Sequence, residues 1–303
     1  MSAVTTTARP ASSAGRGGSL GWMTVPALVF FLGFAVVPLF GVLALSFAQW
    51  DGLGEIRLAG FGNWGAILTD PGLPHALWVT FLVMAVSWAV QTPASILMGT
   101  FLAGHHRYRA VLSVLFFIPL LLSSAALAIM FKALLDPNFG LGAGLGIPIL
   151  VQDWLGEPVL AFGVVVFVVS WQYIPFHALI YQGGVRQIPR SMYEAAELDG
   201  AGRVRRFFSI TLPQLKYTVI TSSTLMVVGS LTLFDLIWVL TEGGPGDATR
   251  ALAVDMYQRG FRANLMGPAS VIAVILVLFG LALSLLLRRL GGRDSSHSQL
   301  EGA

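Results

Sequence analysis

Apolar residues occur in this chain as long, nearly unbroken runs. This is neither the alternation of a half-buried strand nor the stripe of a surface helix. Six runs reach the length of about 20 residues that a helix needs to cross a bilayer. They lie at about 22–47, 76–103, 110–131, 159–181, 217–240 and 267–287. Helix is the predicted state of each, because lipid offers backbone polar groups no partners. Pro93 falls inside the second run and predicts a kink. The apolar patch at 147–151 is too short to span. The first run is too long for a signal-peptide core and predicts an uncleaved membrane helix.

The connections are polar and rich in turn residues. The first holds Trp50-Asp51-Gly52, Phe61-Gly62-Asn63-Trp64 and Asp70-Pro71-Gly72. His105, His106, Arg107 and Arg109 predict a tight turn, residues 132–157 a glycine-rich loop, and Thr241 to Gly246 a further turn. Residues 1–20, rich in Ser, Thr, Ala and Gly, predict a disordered tail, and 291–303 a second tail, around a membrane domain at 21–290.

Six spans place both ends of the chain on one side, and charge selects which. Of the 18 Lys and Arg residues, thirteen lie in the tails and the even-numbered connections: Arg9, Arg16, Arg107, Arg109, Arg186, Arg190, Arg203, Arg205, Arg206, Lys216, Arg288, Arg289 and Arg293. The other five, Arg57, Lys132, Arg250, Arg259 and Arg262, lie opposite. The positive-inside rule then predicts cytoplasmic termini and a cytoplasmic connection at about 184–215.

Composition agrees with a bilayer: 55% of residues are hydrophobic and 11% charged, against about 25% charged in soluble domains. The net charge of +3 sits in short loops and is no signal for nucleic acid. Without cysteine there is no disulfide and no thiolate metal site. Lys132 and Lys216 are the only lysines and neither follows a glycine, so a phosphate-binding Walker loop is excluded. No His-Glu-x-x-His zinc motif occurs. The expectation is no catalytic residue, no metal ligand and no cofactor held by this chain.

The most charged stretch is 190–215. Ser191 and Glu194 have capping-box spacing and predict a helix from near Met192. Gly200 is placed to end it. Met192, Ala195, Ala196 and Asp199 then share a nearly flat face. A second run puts Val204, Phe207, Phe208 and Thr211 on one side and Arg203 and Arg206 towards the other, with Pro213 closing it. Arg203, Arg205 and Arg206 suit lipid headgroups, with one of them free to contact a partner.

Glu194-Ala195-Ala196, Gly200, Ile210, Leu212 and Pro213 resemble the EAA signature of ABC importer permeases. Asp199-Gly200-Ala201 is similar to the sugar-uptake branch, which includes the maltose and glycerol-phosphate type membrane subunits. Trp50-Asp51-Gly52, Gly62-Asn63-Trp64, Ile188-Pro189 and Gly244-Pro245 extend the resemblance over about 22–290. It implies an all-α, six-helix, type I importer fold in the bacterial inner membrane. It implies that Glu194, Ala195, Ala196, Asp199, Gly200, Ile210, Leu212 and Pro213 couple to an ATPase. The implied partners are a second homologous permease, an ABC ATPase dimer holding ATP and Mg, and an extracytoplasmic sugar-binding protein. The implied substrate is a di- or oligosaccharide.

Two places inside the spans carry candidate recognition chemistry. Gln172, Tyr173, Phe176 and His177 mix amide, phenol and aromatic faces, which suits sugar rings as well as interhelical contacts. The resemblance places Ser230, with Gly229 and Leu233, near the same path. Asp235 is the one acid well inside a span, either a hydroxyl-binding carboxylate or a structural acid near the outer surface. A permease for another solute, a stand-alone secondary transporter and a membrane-embedded enzyme are the rival classes. The first lacks the sugar-like landmarks, the second needs further ion-coupling groups, and the third needs paired catalytic groups.

Overall fold

The computed structural model describes residues 21–104 and 107–290. The two tails and the His105-His106 part of the predicted turn lie outside the described residues. Helix α1 (Gly21–Phe31) passes through a π turn at Leu32–Val36 into α2 (Val37–Leu45). Two-residue strands β1 (Ala48–Gln49) and β2 (Arg57–Leu58) pair antiparallel, with Ala48 opposite Leu58. Then follow α3 (Gly62–Leu68), α4 (Gly72–Leu102), α5 (Arg107–Leu121), α6 (Ser124–Leu134), α7 (Leu141–Leu145) and α8 (Pro158–Gln187). The loop after α8 holds α9 (Arg190–Leu198), α10 (Arg203–Arg206) and α11 (Leu212–Gln214). The chain ends with α12 (Lys216–Leu231), α13 (Asp235–Thr241), α14 (Leu252–Tyr257) and α15 (Met266–Leu290).

Among the described residues, four helices are long and apolar enough to cross a membrane, and up to six if each of two bent pairs counts as a span. The bent pairs correct two sequence expectations. The third run is not one helix: α5 and α6 meet at 93°. Ser123, with extended backbone, accepts a hydrogen bond from Ala126 N at 3.2 Å and caps a new helix. The fifth run breaks between α12 and α13, with a bend of 48°. There the Thr232 hydroxyl donates back to Gly229 O at 3.1 Å and ends α12.

The bundle is built around α4 and α8. Gly99 permits their close approach, since a Cβ there would lie 2.6 Å from Ala178 O and 2.8 Å from Tyr181 Cβ. Polar ties join neighbouring spans, as is usual where lipid supplies no hydrophobic drive between helices. Trp88 Nε1 donates to Ser223 Oγ at 2.8 Å, Ser95 Oγ to Ile174 O at 3.1 Å and Gln182 Nε2 to Leu102 O at 2.8 Å. The short legs α6 and α13 pack on α8, with Leu127, Val165, Val168, Leu236 and Ile237 in one buried cluster. A second cluster joins Ile67, Ala76, Leu252 and Ile272. No part of the most apolar window of α1–α2 is buried, which leaves that face for lipid or another subunit.

Candidate functional site

The charged connection forms a compact pair of helices. Pro189 is the N-cap of α9, and no side chain caps it. This corrects the capping-box expectation: the helix starts two residues before Met192, and Glu194 falls beyond its first turn. Ile188 and Pro189 are both extended, so the chain leaves α8 and re-enters a helix at the proline without needing Ser191. The other end behaves as the sequence predicts. Gly200 has φ +72°, Ala201 N donates to Ala196 O at 2.8 Å, and Gly200 N donates to Glu197 O at 3.0 Å. Those two bonds make a Schellman turn, which requires the left-handed residue.

Glu194, Ala195, Asp199 and Gly200 are exposed and Ala196 is half-buried. Beyond the turn, the side predicted to be apolar divides. Thr211 is buried and Phe207 half-buried, while Val204 and Phe208 are 72% and 61% exposed. Leu198 is 90% exposed beside them. Ile210 and Leu212 are half-buried, and Leu212 packs on the Ile96, Tyr181 and Leu215 cluster. Pro213 does not close the run. A π turn at Phe207–Thr211 precedes it and accommodates its missing N–H, so helix continues to Gln214. Arg206 Nη1 donates to Glu197 Oε2 at 3.1 Å and Tyr193 Oη lies 2.9 Å from Thr211 Oγ1, which locks α9 onto the following helix.

A cavity of about 340 Å³ opens where α12 bends into α13. Tyr173 and Phe176 of α8, Ser230 of α12 and Asp235 of α13 all line it. So do Gln91 of α4 and His177, whose Nδ1 is 2.9 Å from Ser222 Oγ. Gln172 does not reach the wall. It is buried, its Oε1 accepts from Ser124 Oγ at 3.2 Å, and its Nε2 donates to Leu122 O at 3.2 Å. It braces the bend between α5 and α6. Asp235 is not enclosed in a continuous span, because the break at 232–234 makes it the exposed first residue of α13. Ser230 Oγ donates back to Met226 O at 2.8 Å, leaving the oxygen able to accept. Among the described residues the wall thus offers aromatic faces, hydroxyls, an amide, an imidazole and one carboxylate, with no Lys or Arg. Such a surface suits a hydroxyl-rich neutral ligand. Among the described residues no group of three His, Cys, Asp or Glu is placed to hold a metal.

One acid escaped the sequence reading. Asp255 is 1% exposed, with Arg250 Nη2 at 2.6 Å and Arg259 Nε at 3.0 Å. Arg259 Nη1 also donates to Asp70 Oδ2 at 2.6 Å. The hydrogen bond from Arg259, followed by that from Gly72 N, holds the Asp70 carboxyl below its ordinary value of 3.8. Only the four-residue spacing of Asp255 and Arg259 hinted at this hub.

With this geometry in view, residues 91–293 match the family described as binding-protein-dependent transport system inner membrane component. The chain belongs to this family. The probable ABC transporter permease YurN of Bacillus subtilis is 33% identical over 269 residues, covering 86% of this chain and 92% of YurN. The trehalose/maltose transport system permease MalF of Thermococcus litoralis is 31% identical over 264 residues, covering 84% of this chain and 88% of its own length. The arabinooligosaccharides permease AraP of Bacillus subtilis is 28% identical, covering 89% of this chain and 87% of AraP. A chain of a bacterial ABC transporter that imports the acidic polysaccharide alginate superposes with a TM-score of 0.79. It is 20% identical and the match covers 91% of this permease and 96% of that chain, so it supports the fold.

Proposed function

We propose that this permease is one of two membrane subunits of an ATP-driven importer of di- or oligosaccharides in the bacterial inner membrane. Both bent pairs count as spans, giving six, with the termini and the 184–215 loop in the cytoplasm. The observation that carries this reading is the α9–α10 pair: a helix with an exposed face, closed by Gly200, beside exposed Leu198, Val204 and Phe208. Glu194, Ala195, Ala196, Asp199 and Gly200 meet a cleft of the ATPase, while Ile210, Leu212 and Pro213 set the angle of the return helix. ATP and Mg bind that ATPase, and an extracytoplasmic protein delivers sugar to the mouth of the bundle.

The geometry gives a route for coupling. Helix α9 joins α8 through Pro189, and the α10–α11 run leads into α12. Helices α8 and α12 are the two that carry Tyr173, Phe176 and Ser230 on the cavity wall. A displacement of the loop by closing ATPases therefore moves both walls at once and switches access. Tyr173 and Phe176 take the apolar faces of a sugar ring, and Ser230 and Asp235 take hydroxyls.

The test is reconstitution with the ATPase and binding protein. Glu194→Lys and Gly200→Val each weaken ATPase co-purification or uncouple hydrolysis from uptake at matched membrane levels. Wild-type behaviour of both variants, or ATP hydrolysis by the rigorously pure chain alone, overturns the proposal.

A further inference from the structure

At the end of the bundle that carries the α9–α10 loop, a crevice of about 320 Å³ lies between the last turns of α4 and α8, the first turn of α5 and the loop helices. Three guanidinium groups line it: Arg109, Arg203 and Arg206. Arg206 is paired with Glu197 at 3.1 Å. Among the described residues, neither Arg109 nor Arg203 has a carboxylate at ion-pair distance. Two positive charges therefore face one small space uncompensated.

Arg109 is held in place, not left to wave in solvent. Its Nη1 donates to Phe101 O at 2.6 Å, and its guanidinium carbon lies 4.7 Å from the Phe101 ring centroid. The forked donors of arginine match phosphate oxygens in pairs. The floor of the crevice is different in kind: Ala103, Val185 and Phe207 are apolar. A free inorganic ion has no use for that floor, whereas a lipid carries glycerol and acyl chain directly behind its phosphate. The depth also fits, because α4 ends at Leu102 and α8 at Gln187, where spanning helices leave the hydrocarbon.

We propose that this crevice binds the phosphate headgroup of an anionic membrane lipid, gripped by Arg109 and Arg203, with the lipid's apolar part along Ala103, Val185 and Phe207. The site exists whichever way the chain is oriented in the membrane. Its consequence for the loop follows from the Arg206–Glu197 bond, which links the crevice to α9. A bound lipid holds the loop helices against the membrane edge and fixes the direction in which α9 points.

The experiment uses the full chain, with any co-purifying subunits, in nanodiscs of phosphatidylethanolamine with added phosphatidylglycerol. Native mass spectrometry after detergent release counts retained phosphatidylglycerol. Arg203→Gln and Arg109→Gln each lower retention about fivefold, and the double variant about thirtyfold, as expected for two cations at a membrane surface. Arg203 is exposed and has no ion pair among the described residues, so its variant answers even where Arg109→Gln disturbs folding. Arg288→Gln, at the end of α15, is the control and leaves retention unchanged. Equal losses from Arg288→Gln and Arg203→Gln would mean general attraction to a charged surface and overturn the proposal. Unaltered retention in the double variant does the same. Displacement of the lipid by inorganic phosphate alone, at equal occupancy of the crevice, reassigns the site to a free anion.

Discussion

Arg259 Nη1 donates to Asp70 Oδ2 at 2.6 Å across 189 positions of sequence, and the same arginine holds Asp255 through Nε at 3.0 Å. The bond ties the start of α4 to the segment between α13 and α15. It fixes the rim of the bundle at the end of α4 opposite to the one near the α9–α10 loop.

Asp255 is the hub of this rim. Asp255→Ala leaves Arg250 and Arg259 without their buried counter-charge and costs about 3 kcal/mol or more. Thermal unfolding in detergent reads this directly. Asp247→Asn, which removes the charge of an exposed partner of Arg250 and suits its left-handed backbone (φ +63°), leaves the melting temperature nearly unchanged. Equal losses from both would show that the network carries no special burden at Asp255.

Asp70 sets a pH dependence whose sign is determined. Its carboxyl is held below the ordinary value of 3.8, chiefly by the hydrogen bond from Arg259. The stability it contributes is therefore complete above that value and is lost as pH falls through the depressed one. The melting temperature stays level from neutral pH to about 4 and falls below it, and Asp70→Asn flattens that acid limb. An acid limb of the same size in Asp70→Asn refutes the assignment.

Gly99 tests the central helix pair. A methyl there lies 2.6 Å from Ala178 O, backbone that cannot move aside cheaply, so Gly99→Ala costs about 1–3 kcal/mol. Gly163, on α8, has nothing within 4 Å of the same methyl position. Gly163→Ala is then neutral or slightly stabilising in the same helix pair. The pair of melting curves separates close approach from helix propensity.

Gln172 and Tyr173 are neighbours with different duties. Tyr173→Ala and Phe176→Ala reduce sugar uptake while the complex still assembles. Gln172→Ala leaves the Leu122 carbonyl without its donor, lowers stability by about 1–3 kcal/mol, and affects transport only through that loss. Uptake kinetics and melting temperature, measured on all three variants, distinguish a wall residue from a brace.

The linear pattern was enough for the membrane class, the helical state of the apolar runs and the turn at Gly200. Each depends on local chemistry: runs long enough to cross lipid, backbone groups that lipid leaves without partners, a residue without Cβ where φ must be positive. Distribution of the candidate site residues needed more. Tyr173, Phe176, Ser230 and Asp235 come together only because α12 breaks at Thr232 and turns 48° into α13. An apolar run conceals such a break, since the residues on both sides are equally happy in a helix. Gln172 sits one position from Tyr173, yet a helix turns about 100° per residue, and which direction faces a cavity depends on neighbours that lie far off in sequence. Asp255 was hidden in another way. Its two arginines are near in sequence, Arg250 five residues before and Arg259 four after, but the burial of the acid and the tie from Arg259 to Asp70 arise only after α4, α14 and α15 are packed.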